Sequence, residues 1–116
     1  MHNFEKLIFW QKAMQLAKDI YLLSVEIPHD ERYGLISQMK RSAVSISSNI
    51  AEGAGRNTNR EFNQFLGIAN GSAFELQTQL LLSKELYSMD EKKVDKLLAD
   101  LHEIQKMMYT FKQNLK

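Results

Sequence analysis

The spacing of helix breakers constrains this chain more than any other feature. Pro28 is the only proline, and the five glycines, Gly34, Gly53, Gly55, Gly67 and Gly71, are confined to its middle. Proline removes a backbone donor and glycine weakens a helix interior, so the stretches free of both can run as long helices. From about Phe4 to Glu26, Leu7, Trp10, Met14, Ala17 and Tyr21 recur at helical spacing, with Phe9, Ala13, Leu16, Ile20 and Leu23 on an adjacent track. That pattern gives a first helix with a wide apolar surface. Ile27-Pro28-His29-Asp30-Glu31 breaks it and supplies acids suited to a new start, so a second helix is expected to run to about Gly53 or Gly55.

Thr58-Asn59-Arg60-Glu61 reads as a capping box, which starts a third helix that continues to about Tyr87. Ser88-Met89-Asp90-Glu91 repeats the box, and Val94, Leu97, Leu98, Leu101, Ile104, Met108, Phe111 and Leu115 lay one apolar stripe along a fourth helix. No run alternates with period two for long enough to suggest a strand. Short connections make neighbouring helices antiparallel, so the expected fold is all-α, an up-down-up-down four-helix bundle. At 116 residues, with 44% hydrophobic and 25% charged residues, the expectation is one domain spanning residues 1–116.

The faces of these helices point beyond a monomer. The third helix places Phe62, Phe65, Leu66, Ala69, Ala73, Leu76 and Leu80 on one side, enough for a bundle core. Roughly opposite lie Gly67, Gly71, Phe74, Thr78 and Leu81, and a helix apolar on both sides needs a second partner. These five residues are the expected oligomer interface of a homo-oligomer. The Gly67-x-x-x-Gly71 spacing admits another backbone closely; packing against the second helix of the same chain is the competing reading.

The second helix has a core stripe of Leu35, Met39, Ala43, Ile46 and Ile50, and beside it a polar stripe of Arg41, Ser45, Ser48, Asn49, Glu52 and Arg56. Serine and asparagine are poor helix-interior residues unless their side chains find partners. One reading is a buried network through Arg41, Ser45, Asn49 and Glu52, with Glu52 neutralising Arg41 or Arg56; the other is a ligand or phosphate site.

Catalytic constellations do not assemble. In His102-Glu103-Ile104-Gln105-Lys106 a lysine stands where a zinc protease needs its second histidine, and Ala99 removes the Glu-x-x-His pair of di-iron bundles. His2, His29 and His102 share no ligand spacing, and no histidine stands at helical spacing to activate a serine. Zero cysteines exclude disulfides and thiolate metal sites. The expectation is no enzyme, no metal and no cofactor. Gly53-Ala54-Gly55-Arg56 lacks the strand and the Gly-Lys-Ser/Thr ending of a phosphate loop, although the amides opening the third helix, flanked by Arg56 and Arg60, form a candidate anion site against the alternative of a plain turn.

Net charge is only +1, yet all four arginines, Arg32, Arg41, Arg56 and Arg60, fall in one quarter of the chain. Lys40, Arg41, Arg56 and Arg60 are the candidate nucleic-acid contacts, a weak patch that symmetry could multiply into a ring. Glu5 stands where a secretory leader wants a basic tip, and no stretch approaches the roughly 18 apolar residues of a membrane span, so the cytoplasm is the expected location and no membrane the expected partner.

Leu7-Ile8-Phe9-Trp10-Gln11-Lys12-Ala13, the run Tyr33-Gly34-Leu35-Ile36-Ser37-Gln38-Met39-Lys40-Arg41-Ser42-Ala43, and Ser45-Ile46-Ser47-Ser48-Asn49-Ile50-Ala51-Glu52-Gly53 carry a resemblance, joined downstream by Ala69-Asn70-Gly71-Ser72 and Glu75. Over essentially its whole length the chain resembles the four-helix bundle family encoded in intervening sequences of bacterial 23S ribosomal RNA genes. Ser47 stands where that family commonly has proline. The resemblance implies a homopentamer and a relationship to the accessory variability proteins of diversity-generating retroelements, which bind nucleic acid and a reverse transcriptase. Those proteins look strongly basic, whereas this chain is nearly neutral. The expected partners are therefore copies of itself, RNA or DNA, and, as the alternative function, a protein docked on Phe4, Trp10 or neighbouring apolar residues.

Overall fold

A computed structural model of the protein describes residues 1–115. Four α-helices dominate it: α1 (Ile8–Leu23), α2 (Leu35–Ala54), α3 (Asn59–Leu86) and α4 (Glu91–Asn114), with no strand among the described residues. The first expected helix is divided. A 3₁₀ turn at Phe4–Lys6, capped by the Asn3 side chain on Glu5 N at 3.2 Å, gives way at an extended Leu7 to α1. At the other end Ser24 turns its hydroxyl back to the Tyr21 carbonyl at 2.7 Å, and Ser24–Glu26 tightens into a second 3₁₀ turn before Pro28.

The acids after Pro28 do not open α2 as expected. His29–Glu31 forms a separate 3₁₀ turn, and Gly34, at φ −110° and ψ −110°, swings the chain into α2 at Leu35. The helix then runs unbroken through Ser47, whose hydroxyl bonds the Val44 carbonyl at 3.1 Å. Thr58 caps α3 as its sequence indicates: its Oγ1 accepts from Glu61 N at 3.2 Å and donates to the Glu61 carboxylate at 3.0 Å. At α4 the expected cap moves by two residues. Asp90, not Ser88, accepts from Lys92 N at 3.0 Å, because the Met89 amide is drawn to the Tyr87 carbonyl at 2.9 Å and the Met89 side chain is buried.

Packing follows the chain order: α1 on α2, α2 on α3, α3 on α4, and α4 back on α1. Lys12 bonds Glu103 and Glu26 bonds Lys93, so as positions rise along α1 and the 3₁₀ turn that follows it, those of the α4 partners fall. Gln105 reaches Asn70 and Asp95 reaches Lys84, the same relation between α3 and α4. The buried residues form one cluster, with Ile20, Met39, Ile46, Ile50, Leu66, Leu76, Leu80 and Ile104 fully enclosed. The apolar stripes read from the sequence supply nearly all of it; Phe65, Leu98, Phe111 and Leu115 are half-buried at its margins. The molecule measures 45 × 25 × 19 Å, and α3 alone spans about 42 Å of that length. Among the described residues, no helix is long and apolar enough to cross a membrane.

Candidate functional site

The polar stripe of α2 divides on folding. Ser45 and Asn49 come together with Ser72 of α3: the Asn49 amide donates to the Ser45 carbonyl at 2.8 Å and to Ser45 Oγ at 2.9 Å, and the two serine hydroxyls lie 2.8 Å apart. Because Ser45 Oγ accepts from Asn49, it is free to donate to Ser72. Two turns along α3, Gln79 buries its Oε1 with no hydrogen-bond partner among the described residues. Arg41 stands outside this network, exposed, and Glu52 pairs with Arg56 at 3.5 Å.

The four candidate nucleic-acid contacts also fall into two groups. Lys40 and Arg41 sit near the start of α2, and Arg56 and Arg60 lie beyond its end, with about 20 Å of helix between. Lys40 lays its ammonium 4.7 Å from the centre of the Tyr21 ring. Arg56 stacks 4.9 Å from the centre of Phe65 and shares its charge with Glu52, so much of its donor capacity faces its own chain. Arg41 and Arg60 are exposed, with no ion pair among the described residues. The candidate anion site at the start of α3 is narrower than the sequence suggests, since Thr58 already occupies the Glu61 amide and Glu52 lies beside Arg56.

The two glycine motifs behave oppositely. A Cβ at Gly53 would lie 2.6 Å from Phe65 Cβ and 2.9 Å from Phe62 Cδ1, so this residue, which the sequence marks only as a helix end, lets α2 and α3 touch. Among the described residues, a Cβ at Gly71 would meet nothing within 4 Å, and one at Gly67 only Lys112 Nζ at 4.0 Å. The close approach to α2 considered for Gly67 and Gly71 is therefore absent. Phe74, Thr78 and Leu81 share their exposed side, Phe74 at 56%.

Phe4 and Trp10, the expected docking residues, contact one another. They pack edge to face at 5.0 Å and lie half-buried against the core. His2 is likewise drawn inward, its ring 5.0 Å from Phe62 and 5.9 Å from Phe111, with Nε2 3.1 Å from Asn59 Oδ1. His29 and His102 are exposed in separate elements, and among the described residues no three His, Asp or Glu side chains cluster as a metal site. A concavity of about 860 Å³ opens between α1 and α4, lined by Ile8, Met107 and Phe111 together with Lys6 and Lys106.

These features can be set beside known proteins. No curated protein matches the chain. Among solved structures, a protein of unknown function from the S23 ribosomal protein family of Bacteroides thetaiotaomicron VPI-5482 shares 21% identity and superposes with a TM-score of 0.82, over 91% of this chain and 96% of that one. At that identity the likeness establishes the fold. A family model described as 23S rRNA-intervening sequence protein matches residues 5–110, nearly the whole sequence including the α2 polar stripe and the α3 glycines. The chain belongs to the 23S rRNA-intervening sequence protein family.

Proposed function

We propose that the chain is a single-domain, antiparallel up-down-up-down bundle that assembles with copies of itself and acts in the cytoplasm as a non-enzymatic, nucleic-acid-associated protein. The opposed numbering of paired residues between α1 with the turn after it and α4, and between α3 and α4, supports the antiparallel arrangement. The open side of α3 at Gly67, Gly71, Phe74, Thr78 and Leu81 supports self-assembly. Five subunits is the number the family resemblance implies. The three histidines, each in a separate setting, support a role without catalysis.

The observation that carries the nucleic-acid reading is Arg60. It is exposed, takes no ion pair among the described residues, and stands in the first turn of α3, where the helix dipole disfavours a cation. The fold gains nothing from a positive charge there, whereas a phosphate bound outside the chain would. With Arg41 at the other end of α2, and Lys40 and Arg56 beside them, one subunit offers two small positive points; several subunits in a ring turn them into a repeated surface. The groove between α1 and α4 favours the alternative, an accessory subunit that binds a protein through apolar residues together with Lys6 and Lys106.

Light scattering across a size-exclusion peak, with the absorbance ratio of nucleic acid to protein recorded before and after a high-salt wash, separates the two. A multimer releasing nucleic acid on the wash is the expected result. A clean multimer that also fails to bind added RNA at low salt sinks the nucleic-acid reading, and a monomer sinks the assembly.

A further inference from the structure

Two apolar faces lie on different sides of this bundle, the first with acidic residues along its own helix and Lys106 and Lys112 of α4 at its border, the second with basic residues. The first is the open side of α3, where Ile68, Phe74, Leu81 and Leu82 are 44–56% exposed around the two uncrowded glycines. Glycine is a poor helix-interior residue relative to alanine, and among the described residues the one neighbour within 4 Å of a Cβ at either position is the Lys112 ammonium, 4.0 Å from one on Gly67. From Gly67 to Leu86, every exposed charged residue of α3 is acidic: Glu75 and Glu85. The second face is a groove of about 570 Å³ between α1 and α2, floored by Met14, Ala17, Tyr21, Leu22 and Val44. Its charges are basic, Lys18 on its wall and Lys40 over the Tyr21 ring, and no carboxylate is among its described lining residues. None of Glu75, Glu85, Lys18 and Lys40 has an ion pair among the described residues.

We propose that the α3 face of one copy seats in the α1/α2 groove of the next, with Glu75 and Glu85 opposite Lys18 and Lys40. The inference rests on the self-assembly reading above and names the two surfaces that meet. A two-fold contact of α3 with α3 sets Glu75 and Glu85 against their own copies and leaves the α1/α2 groove in water. A head-to-tail contact matches the signs and covers both faces at once. Every copy then gives one face and receives the other, the arrangement that generates a closed ring when the rotation between neighbours divides the circle. Gly67 and Gly71 let the α3 backbone settle close to the groove between Phe74 and Leu81 on one side and Ile68 and Leu82 on the other. Lys40 is spent in this contact, which leaves Arg41 and Arg60 as the cations open to phosphate.

Charge reversal tests the pairing, because all four side chains stand at the surface of the bundle. Glu75→Lys/Glu85→Lys sets a basic face against a basic groove, and Lys18→Glu/Lys40→Glu sets acid against acid. Light scattering over a dilution series should show each double variant associating at least about tenfold more weakly than wild type, with helical circular dichroism retained. The variant carrying all four changes should regain the wild-type mass, its signs being matched again. If Lys18→Glu/Lys40→Glu assembles as wild type does, this interface is wrong while self-assembly stands; a monomeric wild type overturns both. Failure of the fourfold variant to recover, with its helicity intact, also overturns the pairing.

Discussion

Gly53 lies so close to Phe65 that no side chain fits between them: a Cβ on Gly53 would sit 2.6 Å from that of Phe65 and 3.3 Å from the Phe62 carbonyl. The neighbours are a β-carbon and backbone, which cannot swing aside. Alanine gains about 1 kcal/mol of helix propensity at such a site but forces α2 and α3 apart along their contact, which costs about 1–3 kcal/mol and occasionally more. Gly53→Ala is therefore expected to lower stability, by up to about 2 kcal/mol, in urea unfolding. Gly71→Ala is the counterpart: with nothing within 4 Å among the described residues, it should stabilise the subunit by up to about 1 kcal/mol while weakening assembly. Equal effects on stability from the two substitutions would contradict this difference in surroundings.

The contrast shows where the sequence was legible. Apolar residues at helical spacing locate four helices and nearly all of the core, because burial against a single centre imposes that period on each helix. The role of Gly53 depends on Phe62 and Phe65, which approach from another helix, and no spacing within α2 carries that information. The same holds for Ser45, whose partner Ser72 lies 27 positions away on another helix. Open glycines are the reverse case. The two-sided pattern of α3 was readable, since a face without a partner in the chain follows from the helix alone.

The start of α4 gives a test at the level of one hydrogen bond. Asp90 accepts from the Lys92 amide, and its charge also lies at the positive end of the helix dipole. Asp90→Ala should cost about 0.5–2 kcal/mol in thermal or urea unfolding, whereas Ser88→Ala should change stability by less than about 0.5 kcal/mol. The reverse order would restore the cap that the Ser88-Met89-Asp90-Glu91 pattern suggests.

Tyr87 should make the protein alkali-sensitive. Its hydroxyl donates to Glu31 Oε2 at 2.5 Å, tying the end of α3 to the turn before α2, and that bond, reinforced by burial and by the Glu31 charge, raises the phenol above its ordinary value. The folded chain thus holds this proton to higher pH than the unfolded chain does. Stability from the bond is complete below about pH 10 and falls as pH rises through the raised value. Lys84, Lys93 and Lys96, each raised first by a hydrogen bond to its acid partner, Asp95, Glu26 and Asp100 respectively, act in the same direction. In a tyrosinate absorbance titration, the most alkaline step should vanish in Tyr87→Phe. The variant's stability should also decline less steeply than that of wild type above about pH 10. Loss of an ordinary tyrosine step, with the most alkaline step retained, would show that Tyr87 is not held by Glu31 in solution.

Arg56 and Arg60 are four positions apart, yet the structure gives them different work. Arg56 rests on Phe65 and beside Glu52 at the surface, contacts worth about 0.5–1 kcal/mol from the ring and at most about 1 kcal/mol from the exposed ion pair. Arg56→Ala should therefore lower stability by about 1 kcal/mol, and Arg56→Lys should recover only part of it because an ammonium lacks the planar stacking surface. Arg60 has neither contact. Arg60→Ala should leave stability unchanged or raise it by about 0.3 kcal/mol, since a cation leaves the positive end of α3. On the nucleic-acid reading proposed above, Arg60→Glu should weaken binding of a single-stranded RNA about tenfold at low salt. The slope of affinity against salt should shrink by roughly 0.7–0.9 for each phosphate that a subunit no longer neutralises. Binding that survives Arg60→Glu, but falls with Arg56→Ala at unchanged stability, would move the contact from the first turn of α3 to the turn before it. That outcome would turn the stack on Phe65 from a brace within the chain into a platform that orients Arg56 toward phosphate.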